Sequence, residues 1–119
     1  MARTLTFTGT LNWPIEEGQQ AAKATFSTSL VYTSALAIEK VYSEGVTDEV
    51  VTLPMTSAKF LVLRAKDNDI DVKVNGSTAA ITLKGNGGAL IVDNADGAIT
   101  GLTVTIFTVP ATLEGYAFA

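Results

Sequence analysis

Between residues 58 and 119, short apolar runs alternate with clusters of Gly, Asn and Asp, and none extends into a long stripe of helical period. Runs of that length bounded by turn residues describe strands. Residues 59–66 contain Phe60-Leu61-Val62-Leu63, apolar on both faces, which suits a central strand covered on both sides. Residues 69–74 alternate instead, with Ile70, Val72 and Val74 on one side and Asp69, Asp71 and Lys73 on the other. Asn75-Gly76 then supplies a hairpin turn into a strand over 79–84, because both residues tolerate the positive φ that a tight hairpin needs. Gly85-Asn86-Gly87-Gly88 and Asn94-Ala95-Asp96-Gly97 are two more turns, enclosing a strand over 89–92 and followed by strands over 100–109 and 112–119.

The first half is less regular. Residues 4–8 alternate, with Leu5 and Phe7 on one face and threonines on the other, and 24–32 form a second strand carrying Phe26, Leu30 and Tyr32. Pro14 breaks the pattern between them, so a loop is expected there, with one helical turn at 15–20. Residues 34–42 fit either a helical stripe or a strand; Ile38, Val41 and Tyr42 favour the strand. Residues 49–53 form another strand. The expectation is an all-β chain: one antiparallel β-sandwich domain over 1–119, jelly-roll-like, with 1–21 as an N-terminal strand or arm and interface loop. Its core is expected to include Phe7, Phe26, Leu61, Leu63, Val72, Val74, Leu90, Val92, Leu102, Val104 and Ile106.

The residue inventory narrows the chemistry. With no cysteine and no histidine, the chain lacks thiolate nucleophiles, the usual zinc ligands and the commonest general base, so no catalytic, cofactor or metal residues are expected. Asp67, Asp69 and Asp71 resemble the opening of a calcium loop, but Val72 stands where that loop needs glycine and Thr78 where it needs glutamate. Gly85, Gly87 and Gly88 precede a strand rather than a helix, which makes them turn glycines and not a phosphate cradle. Glu16, Glu17, Glu39, Glu49 and Glu114 could form a glycosidase pair only through long-range geometry. A formal net charge of -4, with basic residues scattered among acids, leaves no footprint for nucleic acid. No stretch has the length of a membrane-spanning helix, and Met1-Ala2-Arg3-Thr4 does not lead into the apolar segment of a secretory leader.

What remains is an apolar surplus. Hydrophobic residues make up 47% and charged residues only 17%, more apolar than a small soluble monomer needs, so part of the surface is expected to be covered by another chain. Leu5, Phe7, Trp13 and Ile15 near one end, and Tyr116 and Phe118 near the other, are the candidate interface residues, with Trp13 as an anchor. Trp13, Tyr32, Tyr42 and Tyr116 would alternatively form a sugar-stacking surface.

The order Phe60-Leu-Val-Leu-Arg64-Ala, Asp71-Val-Lys-Val-Asn-Gly76, Gly88-Ala-Leu-Ile-Val-Asp-Asn94, Ile99-Thr-Gly-Leu-Thr-Val-Thr105 and Thr112-Leu-Glu-Gly-Tyr-Ala117 resembles the small all-β virion proteins of tailed bacteriophages, about half of the chain sharing that texture. The resemblance implies a non-enzymatic capsid decoration (cement) protein that bridges capsid subunits, assembled in the host cytoplasm and resident in the virion. Its implied partners are the major capsid protein or other virion proteins and further copies of itself, with no cofactor, nucleic acid or membrane. A tail, neck or fibre component, or a carbohydrate- or receptor-binding sandwich, is the alternative.

Overall fold

The computed structural model describes residues 2–12, 23–94 and 99–119. Among them there is no helix; ten strands pair antiparallel throughout. The chain divides into two compact units, Met1–Tyr32 and Thr33–Ala119.

The first unit holds β1 (Arg3–Asn12) and β2 (Lys23–Tyr32), paired along all ten residues of each strand, from Arg3 opposite Tyr32 to Asn12 opposite Lys23. The expected N-terminal strand is therefore one arm of a long hairpin. Phe7 stacks on Phe26, with ring centroids 5.8 Å apart, and the Phe26 ring lies over Gly9, whose missing side chain makes room for it. The turn expected at 15–20 lies outside the described residues, as do Trp13 and Ile15.

In the second unit the strands are β3 (Ala35–Tyr42), β4 (Val46–Val50), β5 (Phe60–Lys66), β6 (Ile70–Val74), β7 (Ile81–Leu83), β8 (Asn86–Asp93), β9 (Leu102–Ile106) and β10 (Ala111–Phe118). One four-stranded sheet has the order β3-β10-β5-β8 and the other β4-β9-β6-β7. Register puts Ile38, Leu113, Ala117, Leu61 and Leu63 on one face of the first sheet, and Ile70, Val72, Leu102, Val104 and Ile106 on one face of the second. All of these residues are buried and belong to a single hydrophobic cluster, a sandwich-like arrangement. The period of two explains the inward face of β9, where buried Leu102, Val104 and Ile106 alternate with partly exposed Thr103 and Thr105.

Several expectations need correction. Phe7 and Phe26 lie outside the core cluster, and Phe26 keeps 47% of its surface exposed; the described residues of the first unit form a two-stranded ribbon only. Val74, Leu90 and Val92 are only partly buried against the cluster, whereas Ile38, Tyr42, Val51, Ile99 and Leu113 are in it. The strand expected at 49–53 is β4 at Val46–Val50, with a register shift against β9 between Val46 and Glu49 and positive φ at Asp48. The glycine cluster at 85–88 runs into β8: Arg64 faces Ala89 while Lys66 faces Asn86, and Gly87, at φ 102, sits in the irregularity.

The Asn75-Gly76 turn forms, with φ 53 and 71 and the Ser77 amide donating to the Val74 carbonyl at 3.1 Å. The β6–β7 ladder does not close directly behind it. Val72 faces Ile81, so β7 begins two residues later than a two-residue hairpin would place it. Asn75 is instead tied to another segment: its amide donates to the Gly101 carbonyl at 2.9 Å, and its side-chain oxygen accepts from the Thr100 and Gly101 amides at 2.8 and 3.2 Å. Asn75→Pro removes all three bonds and imposes a φ near -65°, so urea unfolding should show a loss well above about 1 kcal/mol. Asn75→Gly, which keeps the backbone conformation and loses only the side-chain bonds, should cost less.

Candidate interaction surface

The outward face of the β3-β10-β5-β8 sheet is built by the residues between the core-facing ones. Across the strands, register aligns Ala37, Tyr116, Val62 and Ile91 in one row and Glu39, Glu114, Arg64 and Ala89 in the next. Tyr116 is 56% exposed and Ile91 38%. Phe118 lies two pairs further along β10, its ring 6.5 Å from that of Tyr116 and 6.0 Å, edge-on, from that of Phe60. Phe60 is fully buried although it is not part of the central cluster. A shallow depression of about 410 Å³ beside Tyr116 is lined by Ala37, Val62, Arg64 and Glu114. An exposed aromatic with aliphatic neighbours, bordered by charges, has the makeup of a protein-binding patch.

The charged row holds Glu39 directly opposite Glu114. Arg64 and Lys66 each approach Glu114 at 3.9 Å across largely solvated side chains. Such pairs contribute little to stability, about 0 to 1 kcal/mol, and serve to offset the like charges of the two glutamates.

Of the six interface candidates, Tyr116 and Phe118 come together on this sheet, while Leu5 and Phe7 share one face of the hairpin and are partly buried. Of the sugar-stacking set, Tyr42 and Tyr116 do not come together: Tyr42 points into the core, 4% exposed, on the opposite face of the sheet from Tyr116, and Trp13 lies outside the described residues. Asp67, Asp69 and Asp71 do not converge either. Asp69 accepts from the Gly85 amide at 2.8 Å and from Lys84 Nζ at 3.1 Å, and Asp71 accepts from Thr82 Oγ1 at 2.6 Å. The Gly85 amide bond, with help from Lys84, holds the Asp69 carboxyl below its ordinary value.

Two features carried no clear sequence signal. Phe107, in the β9–β10 turn, is 80% exposed and lines a 300 Å³ depression with Asn68, Asp69, Asp71 and Thr82. A phenylalanine at the end of a strand run reads as core unless the position of the turn is known. The second is the buried Tyr42 hydroxyl, which has no hydrogen-bond partner, as does Glu49 Oε2. Burial, reinforced by the Glu49 charge, pushes the Tyr42 phenol up to about 12. Below pH 10 the phenol is neutral in both folded and unfolded chains and has no effect on the pH dependence. Above pH 10 the unfolded chain ionises first, so stability should fall up to about pH 12, by at most about 1.4 kcal/mol per pH unit. Melting curves across that range should show the loss, and Tyr42→Phe should abolish it without destabilising the protein at pH 7, since the hydroxyl it removes is unpaired.

Comparison with protein-family models, with curated proteins and with solved structures finds no match for this chain.

Proposed function

We propose that the chain is a non-enzymatic virion structural protein of the capsid-decoration type, which stabilises a phage head by bridging capsid subunits. The observation that supports this is the strand order β3-β10-β5-β8 and β4-β9-β6-β7, in which successive strands alternate between the two sheets over the first four and last four positions; our reading of that alternation is a jelly-roll-like sandwich. Jelly rolls recur in viral capsid and lectin domains, and the link from fold to role is by analogy. The residues are consistent with it. A cement protein works by burying surface, and the Tyr116, Val62 and Ile91 row offers apolar area beside a charged rim. The absence of histidine and cysteine, and the engagement of Asp69 and Asp71 by protein donors, fit a protein that performs no chemistry. Its partners would be the major capsid protein or other virion proteins and further copies of itself, and its location the virion.

The test is sedimentation of purified protein with empty phage heads. Saturable binding at a fixed ratio to the capsid subunit, weakened by Tyr116→Ala, is expected; no co-sedimentation with heads, or with tails as the related case, would falsify the proposal. A carbohydrate-binding module is the second reading, favoured by Phe107 standing exposed beside Asn68, Asp69 and Asp71, since an aromatic face flanked by amide and carboxylate groups suits a sugar. Glycan-array binding that is lost in Phe107→Ala would select it over decoration.

A further inference from the structure

In the second unit four strands stand at sheet edges, and they are not equally open. β7 has three residues, and β4 carries the register shift and the positive φ of Asp48. β8 starts in the irregularity at Gly87, and its Gly88 amide is already bonded to the Lys84 carbonyl at 2.8 Å. β3 is different: eight residues pair with β10 in unbroken register. Beyond its start, Ser34 and Ala119 exchange both backbone bonds, at 2.9 and 3.2 Å. Alternation in an antiparallel ladder then directs the amides and carbonyls of residues 36, 38, 40 and 42 to β10 and those of Ala35, Ala37, Glu39 and Val41 to the open side. All four of these residues are exposed. Such a row of backbone donors and acceptors is a template for one more strand.

We propose that the β3 edge binds an extended segment of another protein by strand addition, a segment with a basic side chain on the outward face and an apolar one on the inward face. Two observations specify those side chains. On the outward face Glu39 stands opposite Glu114, which draws Arg64 and Lys66 to itself, and no ion pair reaches Glu39 among the described residues. A cation on the added strand beside Glu39 would relieve two like charges in one row. On the inward face, a depression of about 230 Å³ lies between β3 and residues 50–54, lined by Ile38, Val50, Val51 and Pro54 among others, and takes one aliphatic side chain of the added strand. A second β3 does not meet the requirement. Its outward residues are Ala35, Ala37, Glu39 and Val41, without a cation, while Lys40 points inward, 5.6 Å from the Tyr42 ring. Main-chain bonds would supply affinity and the two side-chain positions specificity.

The proposal goes beyond the proposed function and does not rest on a virion, so it is tested on the purified full chain. The probes are capped peptides of the length of β3, alternating valine and threonine, with lysine or glutamate in place of one central threonine. The lysine peptide should bind below about 1 mM and about fivefold tighter than the glutamate peptide. Glu39→Lys should reverse that order; the variant remains acidic overall, so general attraction would still favour lysine and only a local contact reverses it. Amide exchange followed by NMR should show the bound peptide protecting Ala35, Ala37, Glu39 and Val41. Ala37→Pro removes an open-side donor and no ladder bond, so it should melt near the wild type and lose binding about tenfold or more. If that variant does not fold, N-methylation of the peptide backbone tests the same bonds and should cause the same loss. Absence of binding overturns the proposal, as does an order of preference that Glu39→Lys leaves unchanged. Protection of Ala89 and Ile91 on β8 in place of the β3 amides overturns it too, and so does protection of the β3 amides by concentrating the chain without peptide, which would make the occupant a second copy.

Discussion

Gly115→Ala is expected to lower stability by about 3 kcal/mol, the upper end of the range for an overpacked interior, and to bring the melting temperature down by more than about 10 °C. Gly115 lies in β10, the strand held between β3 and β5, where it faces Ile38 on one side and Leu63 on the other. A side chain there would run into the backbone carbonyl of Val62, which cannot yield as the end of a flexible side chain would. Relief requires β10 to shift against β5, and the ladder to β3 resists that shift from the other edge. A single extra methyl group should therefore do damage comparable to that of many core deletions. Thermal and urea unfolding measure it, and a Gly115→Ala protein within about 0.5 kcal/mol of wild type would show that β5 and β10 do not approach this closely.

The second large effect separates two neighbours on β5. Leu61 is fully buried in the core cluster, opposite Ala117 and Val92, while Val62 belongs to the outward row with Tyr116 and Ile91. Leu61→Ala should cost about 2 to 5 kcal/mol, from the lost burial and the cavity left among residues that cannot collapse to fill it. Val62→Ala should cost less than about 1 kcal/mol in folding, because its surroundings are only half closed. Its larger effect should appear in binding. Equal losses at the two positions would mean that both faces of β5 are equally covered and that the outward row is no docking surface.

Much of the fold was legible because period-two alternation is a local signal. Residues 69–74 needed no knowledge of their neighbours: Ile70, Val72 and Val74 had to share a face, and they do, with Asp71 and Lys73 on the other. The Asn75-Gly76 turn was equally local, since the conformational tolerance of those two residues is intrinsic. The segment 34–42 was read as a strand from its β-branched and aromatic residues, and β3 is there. The interface candidates were legible only in part. Tyr116 and Phe118 could be named as apolar residues near one end of the chain, but Tyr42 appeared to belong with Tyr116 until the register of β3 against β10 put the two on opposite faces.

What the sequence determined by itself, then, was the class of structure and the poverty of its chemistry, because strand period, turn preference and the lack of histidine and cysteine are properties of residues and their immediate neighbours. Only the tertiary structure decided which strands are edges and which are central, that Asn75 answers to residues 100–101 as well as to its own hairpin, and that Phe26 joins no core while Ile38 and Leu113 do. Burial depends on what lies opposite in space. A phenylalanine on the apolar phase of a strand is core if a second sheet covers it and surface if none does, and partners from 25 to nearly 80 residues away, such as Thr100 for Asn75 and Gly115 for Ile38, leave no mark in the local pattern.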